Sequence, residues 1–148
     1  MVTRSNAGVQ SSSAIPADSP RRNLLIQNAD NQKAAHVGLV GDTYTILLSG
    51  SDTAGQFCLI DMHVPPGGGL PPHRHDFEET FILLEGALEA TFRGETRTAK
   101  AGDTIHIPAN APHQFHNSSS KPVRMLNLDL PGKLITSRLP LVRSSPTW

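Results

Sequence analysis

Three histidines and one glutamate carry the chemistry of this chain: His73-x-His75-x-x-x-Glu79, with His113 following 34 residues after Glu79. Neutral imidazole nitrogens and one carboxylate oxygen form a donor set suited to a borderline divalent transition metal, namely Fe, Mn, Ni, Co, Cu or Zn. The spacing points to a single metal ion held by His73, His75, Glu79 and His113. A lone histidine is usually a hydrogen-bonded polar residue and nothing more. That plain explanation suits His36, His63, His106 and His116 as surface or interface groups, but not four donor residues at two spaced places.

Strand geometry says how the donors would be presented. His73, His75 and Glu79 share odd parity, so on one continuous strand they point to one side while Glu78 points away. Pro71-Pro72 stiffens the approach, and Gly67-Gly68-Gly69 permits a tight backbone path. His113 opens a second short strand across the fold, so the site assembles only when the fold closes. Phe77, Phe81 and Phe115 share parity with nearby donors and either line the cavity or pack in the core. Asp76 and Glu78 read as solvated charges, and Asn117 either supports the site or forms a turn.

The positioning elements read as strands. Short apolar runs at 24–26, 44–48, 57–64, 80–84, 87–92, 104–107, 113–116 and 123–130 are separated by turn signals such as Gly50-Ser51-Asp52 and Glu85-Gly86. No segment holds a helical period of useful length. The fold class is therefore all-β, a sandwich or barrel. Cys58, Ile60, Met62 and Val64 form a fully apolar alternating set that should face inward, with Asp61 and His63 on the other face. In 80–84 both alternating sets are apolar, Phe81 with Leu83 and Ile82 with Leu84, so both faces should be covered, one of them by a second subunit or by the terminal segments. A homodimer is the structural expectation.

Composition bounds the rest. A chain of 148 residues fits one domain, and a domain of this size buries roughly two-thirds of its unfolded surface. Thirteen basic and thirteen acidic residues are spread along it, giving zero formal charge, so no basic stripe recruits nucleic acid and no polybasic patch recruits a membrane. The expected partner is a small-molecule substrate. Cys58 has no cysteine to pair with, and no 18-residue apolar run or signal-peptide apolar region is present, so the expected location is cytoplasmic. Residues 1–22 are rich in Ser, Ala, Asn and Pro and read as a disordered arm; 23–132 form the barrel and 133–148 a C-terminal tail.

Two ordered motifs resemble those of the cupins. Gly67, His73, His75, Glu79 and Gly86 match the first, and Gly102, Pro108, His113 and Asn117 match the second, with Asn110 where that pattern has its last glycine. Asn tolerates the left-handed backbone better than most residues. Fifteen residues separate Gly86 from Gly102, similar to small single-domain bacterial cupins, and the stretch from Gly41-Asp42 onward looks most like those grouped with quercetin 2,3-dioxygenase. The resemblance spans roughly 42–131. It implies a double-stranded β-helix, or jelly-roll, barrel holding a divalent metal through His73, His75, Glu79 and His113, with positions left for water, substrate or dioxygen.

The barrel hosts many chemistries. The leading expectation is a metal-dependent dioxygenase acting on a small chelating enol, flavonol-like or carbonyl substrate, with Glu79 as the catalytic group able to shift or accept a substrate proton. One alternative is a non-redox isomerase, cyclase or decarboxylase of a small sugar acid or carbonyl compound, using the ion as a Lewis acid. Another is a small-ligand binding or sensing module.

Overall fold

A computed structural model describes residues 14–31, 33–39 and 41–132. Most of the arm assigned to 1–22 and the whole tail 133–148 lie outside the described residues. The chain is all-β, with no helix among the described residues, and so none long and apolar enough to cross a membrane. Among the described residues nine strands form two antiparallel sheets: β1 (Ala35–Leu39), β2 (Asp42–Leu48), β3 (Cys58–Val64), β4 (Glu78–Glu85), β5 (Ala87–Phe92), β6 (Glu95–Lys100), β7 (Thr104–Ile107), β8 (His113–His116) and β9 (Val123–Leu130). The larger sheet runs β1-β2-β3-β9-β4-β7 and the smaller β6-β5-β8. Together they make the jelly roll.

Period-two patterning builds the core. Cys58, Ile60, Met62 and Val64 all point inward and are buried, as their alternation requires. The register stacks them in rungs with β9 and β4: Met62 opposite Met125 opposite Leu83, then Ile60 opposite Asn127 opposite Phe81, then Cys58 opposite Asp129 opposite Glu79. One end of the barrel interior is thus apolar and the other polar. Each fully buried aliphatic side chain at the apolar end stabilises the fold by about 1.5–3 kcal/mol. From the smaller sheet Leu88 and Phe115 complete the core, and the rings of Phe81 and Phe115 meet edge to face at 5.5 Å. These two phenylalanines pack in the core and also line the interior space, so both explanations left open by parity hold for them.

Two expectations are corrected, and two strands had gone unread. The apolar run 24–26 is not a strand: Leu24 and Ile26 are 86% and 87% exposed. Two strands had no readable signal. β1 and β6 are edge strands, and β6 is Glu-Thr-Arg-Thr-Ala-Lys with only Ala99 buried, so burial leaves almost no pattern in it. Finally, 73–79 is not one continuous strand. The chain makes an isolated bridge at His73, bends at Asp76 and Phe77, and enters β4 only at Glu78. The physical reason is that the chain changes partners there, pairing with β8 at His73 and with β9 and β7 from β4 onward.

Phe81 and Leu83 are buried, whereas Ile82 and Leu84 on the opposite face of β4 remain 39% and 42% exposed. Nothing among the described residues covers that second apolar set.

Candidate metal centre

Two loops are fastened to bring the donors together. Asn117 is fully buried; its Nδ2 donates to the Val64 and Lys121 carbonyls and its Oδ1 accepts from Ser119, making it a turn former. Gly67 N–H donates to the Asn117 carbonyl and Asn117 N–H to the Gly68 carbonyl, strapping the glycine run to the end of β8. Gly69 has φ +133° and lies so close to β8 that a Cβ would fall 2.2 Å from the Phe115 carbonyl oxygen, so no other residue fits. Buried Asp42 holds the same turn, accepting from Gly69 N–H at 3.2 Å and from the Tyr44 hydroxyl at 3.1 Å.

The chain then reaches His73, which exchanges both backbone hydrogen bonds with His113, each at 3.0 Å. This pairing sets the two rings 4.3 Å apart. Asn110, at φ +67°, donates its N–H to the His75 carbonyl at 2.7 Å, so the residue standing in for glycine does adopt the left-handed backbone. Glu79 follows on β4 and points inward, buried, while Glu78 points out.

All four sequence-derived donors therefore converge: one donor atom from each of His73, His75, Glu79 and His113 lies within 4.8 Å of every other. Each imidazole is oriented from behind. Nδ1 faces a backbone carbonyl in every case, Pro71 for His73 at 2.8 Å, Phe77 for His75 at 2.9 Å and Ala111 for His113 at 2.9 Å. A carbonyl can only accept, so Nδ1 carries a hydrogen, and it is Nε2 that has a lone pair for a metal once the ring is neutral. Phe77 stacks on the His75 ring at 3.8 Å.

Nε2 of His75 and of His113 lie 3.1 and 3.0 Å from Glu79 Oε2. Donors about 2.1 Å from a common ion at right angles are separated by about 3.0 Å, so these spacings fit a first-row divalent ion. The other carboxylate oxygen is already committed, because Asn127 Nδ2 donates to Glu79 Oε1 at 2.9 Å.

The electrostatics suit a cation. Burial works to push the Glu79 carboxyl up, but the hydrogen bonds and charges of His113 and His75 outweigh it and hold it at about 2. Burial pushes His73 down, favouring a neutral ring. His75 is also pushed down by burial, yet its hydrogen bond and attraction to Glu79 leave it raised. Asp129, on the rung beside Glu79, is fully buried, and neither of its oxygens has a hydrogen-bond partner among the described residues. Burial first, and then the Glu79 charge, raise its carboxyl to about 7. Two carboxylates side by side in a dry interior create a negative potential that a divalent ion would relieve.

Asn127 and Asp129 were missed by sequence reasoning, although a signal existed: in β9 they occupy the same inward register as Val123 and Met125, and polar residues at inward positions mark a site. The four other histidines lie outside the cluster, as expected. His36 bonds Thr45, His106 bonds Thr80 beside Glu78, His63 sits beside Asp61, and His116 is exposed.

Inside the barrel, the space bounded by Phe81, Ile105, Ile107, His113 and Phe115 amounts to about 10 Å³, room for about one water. A larger cleft of about 420 Å³ includes Thr91, Arg93 and Gln114 in its lining. Thr91 and Gln114 pair across β5 and β8, and the candidate donor His113 lines this cleft too, with Pro72 and Pro112, so the cleft adjoins the candidate centre.

Comparison with known proteins agrees with this architecture. The Cupin domain family matches residues 60–129, which contain all four donors. Residues 60–129 form a cupin domain. This cupin is 31% identical over 96 residues to quercetin 2,3-dioxygenase of Bacillus subtilis (strain 168), a match covering 64% of this chain and 28% of that protein. It is 33% identical over 89 residues to polyketide synthase CurC of Streptomyces cyaneus, covering 58% of this chain and 56% of the relative. The cupin thus spans little more than a quarter of the first relative and just over half of the second. Among solved structures, the polyketide cyclase RemF from Streptomyces resistomycificus superposes with a TM-score of 0.61 at 26% identity, covering 72% of this chain and 80% of that one.

Proposed function

We propose that this cupin is a mononuclear metal enzyme of the dioxygenase type, acting on a small chelating enol, flavonol-like or carbonyl substrate, with His73, His75, Glu79 and His113 as the ligands. The observation that carries the reading is the convergence of three backbone-oriented imidazole Nε2 atoms on a single carboxylate whose second oxygen is held by Asn127. Bound there, a divalent ion supplies Lewis acidity and, if redox-active, a route for electrons between a chelated enolate and dioxygen.

The chain's own residues do the rest. Glu79 Oε2 is the base: it takes the enol proton as the substrate binds, while Asn127 keeps Oε1 in place and so fixes the direction from which Oε2 works. Phe81, Ile107 and Phe115 make the inner wall apolar and exclude water. The interior has room for about one water, so the body of a ligand would lie on the open side, where His73 and His75 are half-buried and His113 lines the larger cleft.

A second reading is favoured by the similarity to a polyketide cyclase: the same centre performs non-redox cyclisation or isomerisation, with the ion as Lewis acid and Glu79 moving the proton. Oxygen uptake by the metal-replete protein with quercetin and with simple diketones separates the two. Metal-dependent uptake supports the dioxygenase. Turnover of a carbonyl substrate in anaerobic buffer with Zn supports the second reading, and absence of uptake with any of these compounds overturns the first.

A further inference from the structure

The cleft beside His113 is lined by no acid. Its volume of about 420 Å³ falls in the range of a small-molecule site, about 300–1,000 Å³. Pro72 and Pro112 give it apolar surface, Thr91 and Gln114 give it hydrogen-bonding groups, and Arg93 gives it one permanent charge. Pro72 immediately precedes His73 and Pro112 immediately precedes His113. A molecule in the cleft therefore lies against the backbone that presents two of the four donors.

Arg93 is held in place at this cleft. It opens the two-residue turn between β5 and β6, where Arg93 and Gly94 both have positive φ, +49° and +87°. Such a hairpin turn favours Asn, Asp or Gly at its first position, so the backbone gives no reason for an arginine there and the side chain must supply one. The Arg93 N–H donates to the Pro112 carbonyl at 3.0 Å, one step beyond the pairing of Phe92 with His113. The guanidinium lies 4.7 Å from the centre of the Phe92 ring, and the attraction of a cation for a π face restrains it. Stacking uses the flat face of the group and leaves its edge, which carries the N–H donors, free to bond. The neighbouring acid Glu95 pairs instead with Arg97 at 3.6 Å, and Arg93 forms no ion pair among the described residues.

We propose that this cleft is a carboxylate subsite of the candidate metal centre, in which Arg93 receives a carboxylate of the substrate and so selects it. One arginine with neutral hydroxyl and amide neighbours matches a singly charged carboxylate, which accepts two parallel N–H bonds from a guanidinium. A dianionic phosphate would call for more positive charge. Thr91 and Gln114, whose side chains share a hydrogen bond at 3.4 Å, meet polar parts of the ligand, and the two prolines meet its apolar body. The substrate class is then a small organic acid that carries its chelating enol, diol or carbonyl edge at the end away from the carboxylate. Only that chelating end rests on the function proposed above.

Two binding measurements on the full chain test the subsite separately from the metal. In the chelated protein, saturation-transfer NMR compares benzoate with benzyl alcohol. Benzoate should bind at least tenfold more tightly, Arg93→Gln should erase the difference, and Arg93→Lys should retain part of it. In the Zn-loaded protein, isothermal titration should find 3,4-dihydroxybenzoate at least tenfold tighter than catechol, and Arg93→Gln should remove that gain with metal content and circular dichroism unchanged. Benzoate that binds no better than benzyl alcohol, or equally well to Arg93→Gln, overturns the proposal. Arg93-dependent benzoate binding with no gain for dihydroxybenzoate over catechol overturns it equally, because the subsite would not then serve the metal centre. A chain that takes up no ion defeats the function proposed above, and the benzoate comparison still decides whether Arg93 receives a carboxylate.

Discussion

Asn127 Nδ2 donates to Glu79 Oε1 at 2.9 Å, deep in the barrel, and leaves Oε2 alone to meet the His75 and His113 nitrogens. The carboxylate is thereby turned so that one oxygen is structural and the other chemical. Replacing Asn127 with Leu removes the donor while keeping the volume. Metal affinity should fall about 10- to 100-fold, the range for losing a partner that orients a ligand, with little change in the circular dichroism. Isothermal titration with Mn or Zn measures it, and an unchanged affinity would show that Glu79 needs no such support.

His75→Ala and His113→Ala should each abolish metal uptake while the barrel stays folded. The apolar rungs of Met62, Met125 and Leu83 lie away from the donors and do not need the ion. Metal content together with thermal unfolding decides this; loss of the folded state along with the metal would make the ion structural.

Gly69→Ala should destabilise the protein by about 2–4 kcal/mol, because φ +133° disfavours a side chain and the new Cβ would press on the Phe115 carbonyl. Gly94→Ala supplies the contrast: it is also left-handed, but a Cβ there meets nothing within 4 Å, so its cost should be smaller. Urea unfolding of the pair measures the difference.

Stability of the metal-free protein should depend on Asp129. Burial, and then the Glu79 charge, raise its carboxyl from the ordinary 3.8 to about 7. A folded-state value above the unfolded one means that the stabilising contribution is fully present below about pH 4 and is lost as pH rises through 7. Asp129→Asn cannot ionise, so its advantage over the parent should grow from pH 4 to 7 and then level off. His75, which is also raised, tilts the parent in the same direction, so the difference between the two proteins is what isolates Asp129. Urea unfolding across that pH range, after chelation, would show parallel curves if Asp129 were ionised throughout.

Much of the site was legible because metal ligation demands particular residue types at fixed spacings. His73, His75, Glu79 and His113 could be read directly, and Asn110 could be expected in a left-handed turn because few other residues tolerate one. The inward set of β3 was legible because it is apolar at every second position. The strand linking His73 to Glu79 was not, since parity assumes continuity and the chain bends at Asp76 and Phe77 to change partners. Asn127 and Asp129 escaped because polar residues in a strand normally signal the solvent face and the opposite set, Leu126, Leu128 and Leu130, is fully apolar, so their shared parity with Val123 and Met125 was outweighed; the register with Cys58, Ile60 and Glu79 shows that they point inward. β6 left no trace because an exposed edge strand has no buried pattern to display.

The central claim is that one ion sits between three imidazole nitrogens and Glu79. Elemental analysis of freshly purified protein, followed by reconstitution of the chelated protein with Fe, Mn, Ni, Co, Cu and Zn, tests it most directly. The account predicts saturation at one ion per chain for at least one of these metals, abolished by His113→Ala. A protein that takes up none of them, or binds one equally well without His113, would contradict it.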